Sequence, residues 1–203
     1  GRGATGNPAG RFETCAKEAF DDGWGEPDGE PRSLPTVVVA QTARSIIMRN
    51  DSPDVPFTQS INPYQGCEHG CIYCYARPSH AYLNLSPGID FETRIFAKTN
   101  AAELLRAELA ARAYRCSPIA LGANTDPYQP AERAQRITRG VLEVLSECRH
   151  PFTITTKGAL VERDLDLIAP AAALGLARVL VSVPQLDHAR SEEHTSELQS
   201  PCN

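Results

Sequence analysis

An α/β fold on a parallel sheet is the prediction, and it rests on short apolar runs that alternate with segments of helical period, each run ending in polar or thiol side chains. Thr36-Val-Val-Val-Ala40 reads as a strand, and Asn50-Asp-Ser-Pro53 reads as a turn after it. Phe57 to Asn62 forms a second run whose end delivers the segment Cys67 to Cys74. Asn100, followed three residues later by Glu103, is a capping-box variant that opens a helix to Tyr114. Pro118-Ile-Ala-Leu-Gly122 is a buried-strand run leading into Asn124-Thr-Asp-Pro-Tyr-Gln-Pro130. From Ala131 to Arg149, Ile137, Val141, Val144, Leu145 and Cys148 recur at helical spacing, which places Cys148 in the core. Phe152 to Thr156 is a strand, Val161 to Leu174 a helix closed by Gly175, and Arg178 to Val183 a final strand. Parallel strands joined by helices place their working residues on the loops after each strand. Here those loops carry Cys67 to Cys74, Asn124 to Gln129, Thr156-Lys157 and Ser182.

The 203 residues, 41% hydrophobic and 22% charged, suffice for one domain with a core. They exclude a disordered tail, a repeat array and a minimal disulfide scaffold. With no apolar run near the ~20 residues of a membrane helix and no basic-then-apolar leader, a soluble cytoplasmic protein is expected. The 20 Lys+Arg against 25 Asp+Glu give a net charge of -5, opposite in sign to the surface of most nucleic-acid binders. Arg133, Arg136 and Arg139 at three-residue spacing are either a local phosphate-binding row or a solvated helix face.

Seven cysteines are present, and Cys67, Cys71 and Cys74 are crowded together. With no secretory signal, such clustering points to metal before disulfides. Gly70 gives the loop a conformation that a side chain would forbid. Three thiolates on a four-iron cubane leave one iron with an open position. A zinc site completed by His69 and plain reduced cysteines are the alternatives, the first hindered because His69 lies inside the same tight loop.

The pattern Cys-x3-Cys-x2-Cys, with Tyr73 just before the third cysteine, resembles the signature of radical S-adenosylmethionine (SAM) enzymes. The resemblance implies a [4Fe-4S] cluster on Cys67, Cys71 and Cys74 and SAM on its open iron. It further implies reductive cleavage to a 5'-deoxyadenosyl radical that abstracts hydrogen from a substrate, with the electron supplied by a flavodoxin- or ferredoxin-like partner. Gly1-Arg-Gly-Ala, Asn7-Pro-Ala-Gly-Arg-Phe12, Ser60-Ile-Asn-Pro-Tyr64, Ala76-Arg-Pro-Ser-His-Ala-Tyr82 and Asn124 to Pro130 resemble the spore photoproduct lyase-related branch, whose members are labelled DNA repair photolyases. The match extends to Leu186. It places Tyr73 near the adenine, Asn124 and Asp126 at the methionyl end of SAM, and Lys157 and Ser182 at its carboxylate or ribose. Read without the resemblance, Asp126 is a turn initiator, Lys157 a solvated strand end, Ser182 a small residue in a crowded sheet and Tyr73 ordinary packing. His80 and Tyr82, shortly after the loop, are candidates to face the substrate but are not assigned to it, since a loop histidine is more often a surface residue. The lyase's hydrogen-returning cysteine has no counterpart in Leu121 to Asp126, and charge does not support a nucleic-acid substrate, so the substrate is unassigned.

Radical SAM cores resemble a partial (β/α)6-type barrel, of which about four strand-helix units are counted here at roughly 30 residues each. Residues 1–52 are read as an N-terminal extension, in which Trp24 and Val37 to Val39 pack across the barrel or form a lid, and 53–189 as the truncated core. Residues 190–203 resemble a translated sequencing adapter and are set aside as a non-native tail. The competing functions are an iron-sulfur or zinc binding module without SAM chemistry, and a fragment inactive for want of its final strands.

Overall fold

The computed structural model describes residues 3–9 and 34–183; Trp24 and the adapter-like 190–203 lie outside them. Its elements in chain order are β1 (Val37–Gln41), β2 (Met48–Arg49), β3 (Gln59–Ile61), β4 (Tyr64–Gln65), α1 (Ile89–Thr93), β5 (Arg94–Lys98), α2 (Ala101–Ala110), β6 (Ile119–Leu121), α3 (Glu132–Gln135), α4 (Ile137–Glu147), β7 (Phe152–Thr156), α5 (Leu165–Ala173) and β8 (Ala177–Val181). Two 3-10 turns, Arg77–Leu83 and Ala159–Asp164, complete the list.

Strands whose every residue is buried can be covered on both faces only by helices or loops, which is the condition of a parallel sheet. β3 and β6 are of this kind. The main sheet runs in the order β2-β3-β6-β7-β8. Ser60, Ala120, Thr153 and Arg178 lie in one row across its four parallel strands, and β2 adds an antiparallel edge. All four parallel strands therefore end at the same rim. Helices α2, α4 and α5 pack in sequence, and Leu105, Val141, Leu142, Leu145 and Ile168 meet Ile61, Leu121 and Ile154 in the core. The fold is mixed α/β with parallel strands, and among the described residues no barrel closes.

Several expectations are corrected. The strict alternation of strand and helix is interrupted by a small second sheet, β1-β5-β4. Here Val37 to Val39 pair in parallel with Arg94 to Phe96, and β4 folds back antiparallel on β5. β5 ends in a buried lysine, Lys98, whose ammonium donates to the Asn62 carbonyl at 2.8 Å, so its strand character is hidden in a polar-looking run. Asn100 makes no side-chain cap bond. Its amide instead exchanges two hydrogen bonds with the Ala43 main chain, at 2.9 Å each, tying the exit of β1 to the start of α2. That helix stops at Ala110, short of Tyr114.

The helix expected over 131–149 breaks at Arg136, which takes a left-handed φ of +52°. The cause is Glu132. Its buried carboxylate accepts the Thr138 and Arg139 amides at 2.9 and 3.2 Å, satisfying the first turn of α4, and also receives the Tyr64 hydroxyl and the Arg163 guanidinium. Arg133, Arg136 and Arg139 thus share no helix, and Arg139 is engaged by Glu143, Asp164 and Asp166. Cys148 is exposed, not core, because α4 ends one residue earlier. The helix expected from Val161 begins as a 3-10 turn, with α5 following. Gly175 closes it at φ +72°.

Candidate functional site at the strand ends

Backbone first fixes the cysteine loop. β4 turns through Gly66, the Cys67 amide donates to the Phe91 carbonyl at 2.9 Å, and the Cys74 amide donates to Cys71 at 3.2 Å. Gly70 stands at φ +61°, and a Cβ there would press within 3.1 Å of a Glu92 carboxylate oxygen, so the expected demand for glycine holds. From the next strand end, the buried Gln129 amide donates to the Gly66 carbonyl and accepts the Glu68 amide, both at 3.1 Å. Cys67 is buried, while Cys71 and Cys74 are partly open. Burial, together with the charges of Asp126 and Cys71, pushes the Cys67 thiol up to about 12, against backbone hydrogen bonds that pull it down. Burial also raises Cys71, opposed by the ammonium of Lys157. Among the described residues no three His, Cys, Asp or Glu side chains converge as a ready site for a single metal ion.

The rim gathers four of the five side chains singled out from the sequence for cofactor contact. Lys157 Nζ lies 3.1 Å from the Tyr73 hydroxyl and 2.9 Å from Ser182 Oγ, with the Tyr73 ring centroid at 5.2 Å. Tyr73 itself is exposed. Ser182 is set by its own amide, which donates to Thr156 at 2.8 Å. Asp126 organises this corner: its carboxylate accepts Thr156 Oγ1 at 2.6 Å, the Lys157 amide at 2.7 Å and the Tyr128 amide at 2.8 Å. His69 Nε2 approaches it to 3.3 Å. Burial works to raise the Asp126 carboxyl, but the His69 contact and the Thr156 and Lys157 hydrogen bonds outweigh it and hold the group below its ordinary value. Asp126 is therefore both the Asx-turn former and a cross-strand tie, with its oxygens facing the chain's own donors. For Lys157, burial favours the neutral amine, yet the Tyr73 hydroxyl and the nearby Cys71 and Asp126 raise it above its usual range. Asn124 sits apart, its amide donating to Asn62 Oδ1 at 2.9 Å and its side chain 3.5 Å from Ser79 Oγ.

Four residues of this neighbourhood escaped the sequence reading: Gln129, His69 as a partner of Asp126, Arg77, and Tyr75, whose hydroxyl donates to the Ala123 carbonyl. Gln129 lies inside the phrase Asn124 to Pro130, but its task becomes visible only once β4 folds back beside it. His80, expected on the surface, is fully buried between Phe91 and Phe96. Its place in a turn bonded to α1 explains this, since the turn packs its inner side against that helix. Tyr82 is exposed. Cys116 precedes β6 and lies 3.6 Å from His150, at the opposite end of the strands.

No family profile and no solved structure matches the chain. The chain is 46% identical over 129 residues to uncharacterized proteins of Mycobacterium tuberculosis and Mycobacterium bovis, covering 64% of this chain and 38% of each relative. It is 31% identical over 107 residues to an uncharacterized protein of Methanocaldococcus jannaschii, covering 53% of this chain and 38% of that one. The chain thus spans well under half the length of these curated relatives.

Proposed function

We propose that this chain carries the cluster- and SAM-binding portion of a radical SAM enzyme, related to the spore photoproduct lyase branch, with a lyase-like reaction on an unassigned substrate. The observation that carries the reading is the meeting of Tyr73, Lys157 and Ser182 beside the cysteine loop, on a rim formed by four parallel strand ends. Four parallel strands with crossover helices suit part of a (β/α)6-type barrel, and the longer relatives have room for the remainder.

The donor set fits the group. Three thiols on one turn, with Cys67 and Cys71 held protonated by burial, are ligands that release protons as metal binds, and a cluster gives each thiolate its own iron so they need not converge on one ion. Cys67, Cys71 and Cys74 would hold the [4Fe-4S] cluster, which would supply an open coordination position for SAM and the electron for its reductive cleavage. The chain's own part is to hold and orient. Gln129 fixes the loop from below, Lys157 supplies a cation for the SAM carboxylate or a donor for its ribose, Ser182 holds Lys157 and offers a hydroxyl, and the exposed Tyr73 ring gives a face for the adenine. Asp126 keeps Lys157 at the rim through its backbone amide. Asn124, on the loop after β6, would meet the methionyl end.

No helix among the described residues is long and apolar enough to cross a membrane. A cytoplasmic enzyme served by a flavodoxin- or ferredoxin-like reductant fits this reading. Substituting Cys71→Ala tests it: after anaerobic reconstitution the variant should lose the iron that the parent retains, and equal iron in both would contradict the ligand assignment.

A further inference from the structure

Residues 3–9 lie far from the cysteine loop in sequence and against it in space. The Gly3 and Ala4 amides donate to the two carboxylate oxygens of Glu92, at 3.1 and 2.9 Å, and Glu92 is fully buried. Glu92 also pairs with the Arg77 guanidinium. That guanidinium donates Nε and Nη2 to the Cys71 carbonyl at 3.0 and 2.9 Å, and Nη1 to the Pro87 and Gly88 carbonyls at 3.3 Å each. Further contacts continue the seam: Ile89 donates its amide to Gly6, Ser86 Oγ donates to the Pro8 carbonyl at 2.6 Å, and Asn7 bonds Asp90. The approach is close enough that a Cβ on Gly3 would fall 1.7 Å from the Gly70 carbonyl oxygen. An open cleft of about 630 Å³ remains between this segment and Ile72, Arg77 and Pro87.

A buried carboxylate is costly unless its oxygens are met by donors. Glu92 meets this need with a guanidinium and two backbone amides from segments distant in sequence. Arg77 then transmits the constraint. Two N–H groups of its planar fork converge on one carbonyl, which fixes the peptide leaving Cys71 and with it the direction in which that thiol is presented. A lysine could carry the charge without the fork.

We propose that Arg77 and Glu92, with the 3–9 segment docked on Glu92, are positioning residues that aim the Cys71 thiol. The proposal rests on the cluster reading above for its purpose, while the clamp is testable without metal. In metal-free protein, labelling of each cysteine by iodoacetamide is followed by mass spectrometry in the parent chain, R77K, E92Q and A4P; the last removes the Ala4 strap amide and stiffens the strap while leaving the side chains of Arg77 and Glu92 unchanged. Cys71 labelling should rise about tenfold in R77K and E92Q, as expected when a charge-assisted hydrogen bond closing a local opening is lost, and less in A4P. Cys67 and Cys116 should label at parental rates. In reconstituted protein, R77K should retain iron but shift the line shape of the reduced paramagnetic signal. Parental Cys71 labelling in all three variants overturns the proposal, and so does an equal rise at Cys67 and Cys116, which would mark general loosening. Absence of iron in the reconstituted parent would instead defeat the cluster reading, and the labelling would still decide the clamp.

Discussion

Replacing Gln129→Ala is the perturbation for which the fold gives the most direct magnitude. Gln129 is fully buried and makes two hydrogen bonds to the main chain of the cysteine loop, one given to Gly66 and one taken from Glu68. Truncation leaves a buried carbonyl and a partly buried amide without these partners, and each unsatisfied group costs about 1–3 kcal/mol. Water entering the vacated space recovers part of this, so a net loss of about 3 kcal/mol is expected, roughly a hundredfold in the folding equilibrium. Gln129→Glu should be at least as damaging. It keeps an acceptor for Glu68 but turns a carboxylate oxygen toward the Gly66 carbonyl and buries a charge. Urea unfolding monitored by circular dichroism reads both variants, with an unchanged m-value as the check that only stability has moved. A loss below about 0.5 kcal/mol for both, the range of ordinary surface changes, would refute the idea that this amide holds the loop in place.

Other consequences follow from the same geometry. Lys157→Met should leave unfolding stability within about 0.5 kcal/mol, because the ammonium is only partly buried, yet weaken SAM binding about tenfold or more by equilibrium dialysis on reconstituted protein; unaltered affinity would remove Lys157 from the SAM site. Burial lowers both His80 and His150, so the unfolded chain takes up protons below its ordinary histidine value while the folded chain resists. Stability should therefore be full above pH ~6.5 and fall as pH drops, by at most about 1.4 kcal/mol per pH unit for each histidine. His80→Leu should flatten that slope, and an unchanged slope would show that His80 does not contribute. Glu132→Ala should cost about 3–5 kcal/mol in thermal or urea unfolding, since it strips the first turn of α4 and leaves Arg163 and Tyr64 without their shared partner; a loss under 1 kcal/mol would contradict the capping role.

The rim was legible in the sequence because it depends on local signals. Phe152–Thr156 is a strand residue for residue, and β3, β6 and β8 fall within a few residues of their expected places. Gly70 and Gly175 adopt the positive φ that their positions demanded. What stayed hidden depends on encounters between distant segments. β4 and β5 become strands by pairing with each other and with β1, and Lys98 joins them only because the Asn62 carbonyl is there to receive it. The break at Arg136 follows from a carboxylate that caps the next helix, a role indistinguishable in sequence from a solvated Glu. Cys148 misled because the apolar period continues one step past the end of α4 at Glu147, just before the chain turns at Arg149. At the site itself, the cysteine spacing and the places of Lys157 and Ser182 were readable from strand ends, and Tyr73 from the cysteine motif's resemblance, whereas Gln129, Arg77 and Glu92 act on backbone groups, which leave no pattern in side-chain types.

Electron paramagnetic resonance on anaerobically reconstituted, reduced protein, with and without SAM, decides whether the cysteine loop holds a cluster within reach of SAM. A four-iron cluster signal that depends on Cys67, Cys71 and Cys74 and changes shape when SAM is added is the expected result. A cluster signal indifferent to SAM would contradict the SAM-binding rim, and zinc without any iron signal would contradict the cluster altogether.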